Sequence, residues 1–193
     1  MPGILISNVS FPKIIEKNII SKSKNCSLMN PYLIKSIRQL EKANSDFIVL
    51  PCNTLHNLLP YLRNQTKLEI LDLTEETAKE IKLKKYRKIG ILSTSKTKNS
   101  KLYNKLISKT KIIYPNENEQ KIISKIIIKI IAQKSSNKDK EYLKKIIMKM
   151  RNQGAEKILL ACTDLANLIE KDSHILDTQK ILIKSIKNKM RNN

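Results

Sequence analysis

Glycine is nearly missing from this chain, with three residues in 193 where an average composition would give about 7%. Positions that need a left-handed backbone must therefore fall to other residues, and asparagine is the expected substitute. Tryptophan is absent and aromatic residues make up 4%, which leaves no ribonucleoprotein-type strand for stacking bases. No run of about eighteen uncharged apolar residues occurs, because stretches such as 126–131 are broken by lysine, and no membrane-spanning helix is expected. Residues 1–12 lack the basic start, apolar core and small-residue cleavage site of an export signal, so a cytoplasmic protein is expected. The cysteines are three, Cys26, Cys52 and Cys162, an odd number that argues against a disulfide framework. Their spacing fits no zinc pattern, and neither histidine sits near a Cys-x-x-Cys pair, so no metal site is expected. Free thiols remain, either as small buried apolar groups or as reactive ones.

Positive charge is abundant. The formal net charge is +21, from 38 Lys and Arg against 17 Asp and Glu. A field of that sign attracts polyanions at low salt. The lysines are nevertheless spread along the whole chain, with no Cys/His finger among them. They read as solvated helix faces, and nucleic acid is the weakest of the candidate partners.

The apolar pattern alternates between strand and helix. Residues 3–7 read as a strand followed by a loop through Pro12, and 30–43 as a helix capped by Asn30 and stopped by Asn44. Strands are expected at 46–50 and 68–73, with a short helix after Cys52 and a capping box at Thr74–Thr77. The pattern restarts with a strand at 88–92, a polar loop at 93–97, a helix at 99–109 and a strand at 111–114. Long helices follow at 117–132 and 139–152, joined by a turn at 135–138. A strand at 157–160, a short helix through Ile169, a strand stub at 175–176 and a closing helix from Asp177 or Thr178 complete the chain. This order predicts an α/β fold with parallel sheets and helices on both faces.

Cys52 and Cys162 stand 110 residues apart, and that shift lays residues 40–59, LEKANSDFIVLPCNTLHNLL, over 150–169, MRNQGAEKILLACTDLANLI. Each segment has a helix end, a left-handed stop (Asn44 or Gly154), a buried strand, a cysteine, a nearby threonine and a helix start. A repeated unit implies two similar α/β lobes related by a pseudo-twofold axis. Residues 1–83 with 178–193 would form the lobe carrying Cys52, and 84–177 the lobe carrying Cys162. Ligands of such sheets bind beyond the carboxyl ends of the strands, where both cysteines fall.

Either cysteine alone would be an ordinary core residue. Two in matching positions, each followed by hydroxyl or amide residues, point to one shared site in the cleft. A helix amino terminus beyond each thiol would lower its pKa from about 8.5 toward neutrality. The backbone N–H groups there, with Asn53, Thr54 and Thr163, would cradle a carboxylate. One thiolate could then remove an α-proton while the other thiol returns one to the opposite face. His56 and Asp164 stand close in sequence to the thiols and could tune them or relay protons, whereas Cys26 lies in a loop and reads as non-catalytic.

Two motifs carry a resemblance. Pro51-Cys-Asn-Thr-Leu-His56 and Ala161-Cys-Thr-Asp164 resemble the P-C-N-T-x-H and G-C-T-E signatures of the aspartate/glutamate racemase family. The likeness extends through 4–8, 75–78, 88–94, 102–103, 115–120 and 176–178, nearly the whole chain in the family's order. It implies two α/β lobes with the active site between them, independence of pyridoxal phosphate and of metals, and a homodimer. It implies interconversion of L- and D-aspartate or glutamate with Cys52 and Cys162 as the catalytic bases. Asn53, Thr54 and Thr163 resemble the ligands of the substrate carboxylate, Thr94 and Thr97 the hydroxyl loop of the second lobe, and Asn8 a further ligand at the end of the first strand.

There are departures. The family begins with a further strand, a Gly-Gly-Met-Gly-Pro type loop and a long helix, and this chain starts at what resembles the family's second strand. Pro12-Lys-Ile14 stands where the family has P-D-R, and a lysine offers a point charge in place of a bidentate fork. A family lysine falls near Ala132, with Lys134 the nearest substitute, and Ala161 and Lys96 replace glycines. These departures leave open a related two-cysteine isomerase of the maleate isomerase or hydantoin racemase type, and a non-catalytic member that binds a small carboxylate or a partner.

Overall fold

Parallel pairing organises the protein into two sheets in a computed structural model that describes residues 3–170 and 172–192. The smaller sheet joins β1 (Phe47–Val49) to β2 (Glu69–Leu71), with Ile48 opposite Ile70. The larger joins β3 (Lys88–Ser93), β4 (Lys111–Ile113), β5 (Lys157–Ala161) and β6 (Ile175–Asp177) in the order β4-β3-β5-β6. Parallel neighbours need crossover connections, and helices supply them. These are α1 (Lys13–Lys22), α2 (Asn30–Lys42), α3 (Leu59–Arg63), α4 (Leu73–Leu83), α5 (Ser95–Asn99), α6 (Glu117–Ile131), α7 (Asn137–Asn152) and α8 (Thr178–Asn192). The parallel α/β class expected from the sequence is the one observed. Among the described residues no helix is long and apolar enough to cross a membrane.

The central strands β3 and β5 are apolar on both faces because both faces are covered. Leu92, Ile158 and Leu160 point into a core with Ile123, Ile126 and Ile127 of α6 and Leu143, Ile146 and Met150 of α7. Their neighbours Ile89, Ile91, Leu159 and Ala161 point the other way, toward Ala78 and Ile81 of α4 and toward Tyr103 and Ile107. Gly90 is needed where α7 presses on the sheet, since a Cβ there would stand 2.7 Å from Ile158 Cδ1 and 2.8 Å from Met150 Sδ. The smaller sheet packs Ile48 and Ile70 against Leu33 and Ile37 of α2 and Leu59 and Leu62 of α3.

Helix α1 joins these cores. It lies against α5 and α6, and its adjacent Ile19 and Ile20 are buried in different clusters, Ile19 beside the smaller sheet and Ile20 beside the larger. Each buried isoleucine is worth about 1.5–3 kcal/mol, so the helix pins one sheet's surroundings to the other's.

Several local expectations are corrected. Residues 3–7 form no strand: among the described residues no neighbouring strand lies along them, and Ile4 and Ile6 are 78% and 87% exposed. Helix α2 begins at Asn30 itself, because a 3-10 turn over Cys26–Met29, capped by Asn25, runs directly into it. Helix α4 is capped by Asp72, whose carboxylate accepts from Thr74 N at 2.9 Å and Glu75 N at 3.1 Å, so the box expected at Thr74 is not the one used. The polar loop at 93–97 is taken up by the end of β3 and the start of α5, and the helix expected over 99–109 is a run of turns after Asn99, with Lys101 at φ 53°. Asn44 and Gly154 are left-handed as expected, but among the described residues Ser23, Lys85, Lys101 and Gln133 fill the other such positions, so asparagine is not the general substitute for glycine. The α6–α7 pair is as expected, with Ser136 and Asp139 forming a reciprocal cap.

Candidate active site

Both repeat cysteines follow strand ends and precede five-residue 3-10 turns. Cys52 follows β1 through Leu50 and Pro51 and leads into the turn Thr54–Leu58, and Cys162 follows β5 directly and caps the turn Thr163–Asn167. The backbone N–H groups of Thr54 and Leu55 point at the Cys52 sulfur, and those of Asp164 and Leu165 at the Cys162 sulfur. The sequence repeat is therefore also a repeat of geometry. The charge of one thiolate reaches the other, because Cys52 helps to raise the Cys162 thiol.

The expected low thiol pKa is overturned. Burial pushes Cys52 up to about 11, against the pull of the Thr54 and Leu55 N–H groups. Burial first, and the Asp164 charge second, raise Cys162 well above the ordinary thiol value. Short 3-10 turns present few aligned peptide dipoles, and desolvation of the thiolate outweighs them. The Cys162 thiol donates to Asp164 Oδ2 at 3.6 Å, so the carboxylate stands at the second sulfur.

Hydroxyl groups gather beside the first thiol. Thr54 Oγ1 lies 2.9 Å from Thr94 Oγ1 and 3.2 Å from Thr97 Oγ1, and Thr94 also caps α5 by accepting from Thr97 N. All three threonines are buried. Asn53 is buried too, and its amide is engaged: Oδ1 accepts from the Tyr103 hydroxyl, and Nδ2 donates to Thr178 Oγ1 at 3.0 Å. One N–H of that amide is left over. Thr163 opens the second turn with its side chain partly exposed.

His56 has both ring nitrogens committed. Nε2 accepts from Leu73 N at 3.0 Å, so Nδ1 carries the proton and donates to the Cys52 carbonyl at 2.9 Å. Burial lowers its pKa, which keeps the ring neutral. Such a histidine braces the Cys52 turn; it has no free nitrogen for relaying protons.

The structure brings Cys52, Cys162, Asn53, Thr54, Thr94, Thr97, His56 and Asp164 into connected surroundings, while Asn8 stays exposed on the irregular amino-terminal segment. Lys13 and Lys134 are exposed as well. Cys26 is 1% exposed in the core beside Cys52, as befits a packing residue. Among the described residues no three His, Cys, Asp or Glu side chains converge as a metal site. Three participants escaped the sequence reading. Tyr103 and Thr178 lie in the stretches 102–103 and 176–178 that carry the family likeness, which was the available signal. Glu16 of α1 had none; burial and the Asp164 charge raise its carboxyl, so α1 borders the site. The surroundings are tight. Cys162 is 7% exposed, Cys52 is half-buried, and two open surface clefts, around Glu41 and Thr66 and along α8, touch neither.

Comparison with known proteins adds the following. The family model for Asp/Glu/hydantoin racemases matches residues 1–186. The chain is 30% identical over 162 residues to the broad specificity amino-acid racemase RacX of Bacillus subtilis (strain 168), covering 81% of this chain and 70% of that protein. Its fold is similar to that of the Picrophilus torridus aspartate racemase, with a TM-score of 0.71 at 23% identity over 87% of this chain and 73% of that one. It is also similar to an aspartate racemase homologue from Pyrococcus horikoshii OT3, with a TM-score of 0.70 at 22% identity over 89% and 78% of the two chains.

Proposed function

The chain belongs to the Asp/Glu/hydantoin racemase family, and on that premise we propose that it interconverts L- and D-aspartate or glutamate without a cofactor, with Cys52 and Cys162 as opposed base and acid. One observation carries the reading: two cysteines stand in matching positions, each after a strand end with the N–H groups of the following turn aimed at its sulfur. We take residues 1–83 with 178–193 as one lobe and 84–177 as the other; α4 packs on α8 within the first through Leu73 and Leu182 and on the larger sheet of the second through Ala78 and Ile81. The working form is a homodimer, as the resemblance implies.

In the L-to-D direction one thiolate takes the α-proton. The Cα–H bond breaks, an S–H bond forms, and the electron pair delocalises into the substrate carboxylate. The opposite thiol then gives its proton to the other face, so the stereocentre inverts and the sulfurs exchange protonation states. A thiolate of raised pKa is a strong base toward a carbon acid, although few thiols are ionised near neutral pH. The hydroxyls of Thr54, Thr94 and Thr97, with Thr163 and the spare Asn53 N–H, receive the carboxylate.

A second reading, a carboxylate binder without turnover, is favoured by the closed surroundings of Cys162 and by Lys13 at the position of the family arginine. Incubation with L-aspartate or L-glutamate followed by chiral chromatography separates the two. Racemisation yields the D enantiomer and is abolished by Cys52→Ala or Cys162→Ala. A ligand-induced rise in melting temperature without any D enantiomer supports the binder.

A further inference from the structure

We infer that Thr178 is a positioning residue that sets the separation of the two thiols, by tying the turn after Cys52 to the strand that delivers Cys162. Thr178 opens α8 directly after β6, which pairs with β5 so that Asp177 stands opposite Leu160. Its side chain is fully buried. The hydroxyl donates to the Leu160 carbonyl at 3.0 Å and accepts from Asn53 Nδ2 at 3.0 Å. Asn53 is the residue after Cys52, and Leu160 lies two before Cys162. Two hydrogen bonds through one oxygen atom therefore link the segments that carry the two sulfurs.

The direction of this link is fixed by its ends. The Leu160 carbonyl can only accept, so the single Thr178 proton goes there and Thr178 Oγ1 must accept from the Asn53 amide. That turns Asn53 Oδ1 toward Tyr103, whose hydroxyl donates to it. Tyr103 is 1% exposed, and burial raises its hydroxyl pKa, so it remains a donor. Thr77 stands beside the same phenol and is itself anchored to the Leu73 carbonyl at 2.7 Å. A flip of the Asn53 amide would draw the Thr178 proton to Asn53 Oδ1 and leave the Leu160 carbonyl unmet, so the chain holds the amide in one orientation. Water does not compete, because every member is buried.

This inference rests on the two-thiol reading, in which a proton removed on one face must be replaced on the other. Such chemistry is sensitive to displacement, and an error of about 1 Å can cost on the order of 10²-fold in rate. Thr178→Val keeps the shape and removes the hydroxyl; Thr178→Ser keeps the hydroxyl. We expect Thr178→Val to lower kcat about 10- to 100-fold with KM changed by less than about threefold, and Thr178→Ser to recover most of the loss. In D₂O, Thr178→Val should also return deuterium to the unreacted L enantiomer more often relative to inversion, because the receiving thiol is misaligned; loss of stability alone would not move that ratio. Tyr103→Phe should shift the ratio in the same direction. If Thr178→Val folds and keeps both the wild-type kcat and the wild-type ratio, or if Thr178→Ser is no better than Thr178→Val, the inference is overturned while the two-thiol reading stands. If Thr178→Val does not fold, Tyr103→Phe decides, and an unchanged ratio there overturns it. A wild-type protein that does not racemise at all overturns both.

Discussion

Thr54 and Thr94 share a hydrogen bond of 2.9 Å between side-chain oxygens, although 40 residues separate them. Thr54 belongs to the turn after Cys52, and Thr94 follows the end of β3 in the larger sheet. Hydroxyls from the two sheets thus meet at the place proposed to receive the substrate carboxylate.

Removing one of these hydroxyls should weaken binding more than turnover. A hydrogen bond to a charged group contributes about 1.5–3 kcal/mol, so Thr54→Val is expected to raise KM for aspartate by roughly 10- to 100-fold with a smaller change in kcat. Thr94→Val should do the same and also lose the α5 cap, at about 1 kcal/mol of stability. Steady-state kinetics and thermal melting check the two parts separately.

The thiols should titrate late. With Cys52 pushed up to about 11, alkylation by iodoacetamide in the Cys162→Ser protein should rise about tenfold per pH unit from pH 7 to 10, without levelling off. A plateau near pH 8 would contradict the burial argument. His56, neutral and held below its ordinary pKa, should add no inflection near pH 6.5.

Burial raises both thiols, and the Asp164 charge adds to it. That negative charge disfavours the thiolate at Cys162 and at Cys52, so Asp164→Asn removes a repulsion and should lower both pKa values. Alkylation at pH 8 should become faster, and the rise of kcat/KM with pH should move to lower pH. A slower reaction at pH 8 would show that the sign is wrong.

Helix α1 should contribute to stability through two separate cores. Ile19→Ala and Ile20→Ala each leave a buried space, at about 2–5 kcal/mol. Because the two side chains enter different clusters, each single variant should lose stability on its own and the double variant should lose more than either. Urea unfolding measures this directly.

Much of this was legible in the sequence. The 110-residue shift predicted matching cysteine turns, and apolar runs such as 157–160 predicted strands covered on both faces. Helix α1 was not legible: Pro12 offers no side-chain cap, and Ile19 and Ile20 point into different cores, so no single apolar stripe marks the segment. Residues 3–7 read as a strand, but local composition says nothing of whether a neighbouring strand is present to pair with. The thiol pKa was misread because the sequence reveals the turn beyond a cysteine but not how deeply the sulfur is buried. The Tyr103–Asn53 bond spans 50 residues, and no local pattern encodes a partner that distant.

The central claim is that two thiols act on opposite faces of one α-carbon, and deuterium reports on it most directly. L-aspartate, or L-glutamate if that is the substrate turned over, is incubated in D₂O, quenched at low conversion and resolved into enantiomers for mass spectrometry. The two-thiol account predicts deuterium at the α-carbon of the newly formed D enantiomer and little in the recovered L enantiomer. Equal deuterium in both enantiomers, or racemisation that survives Cys52→Ala or Cys162→Ala, would contradict it.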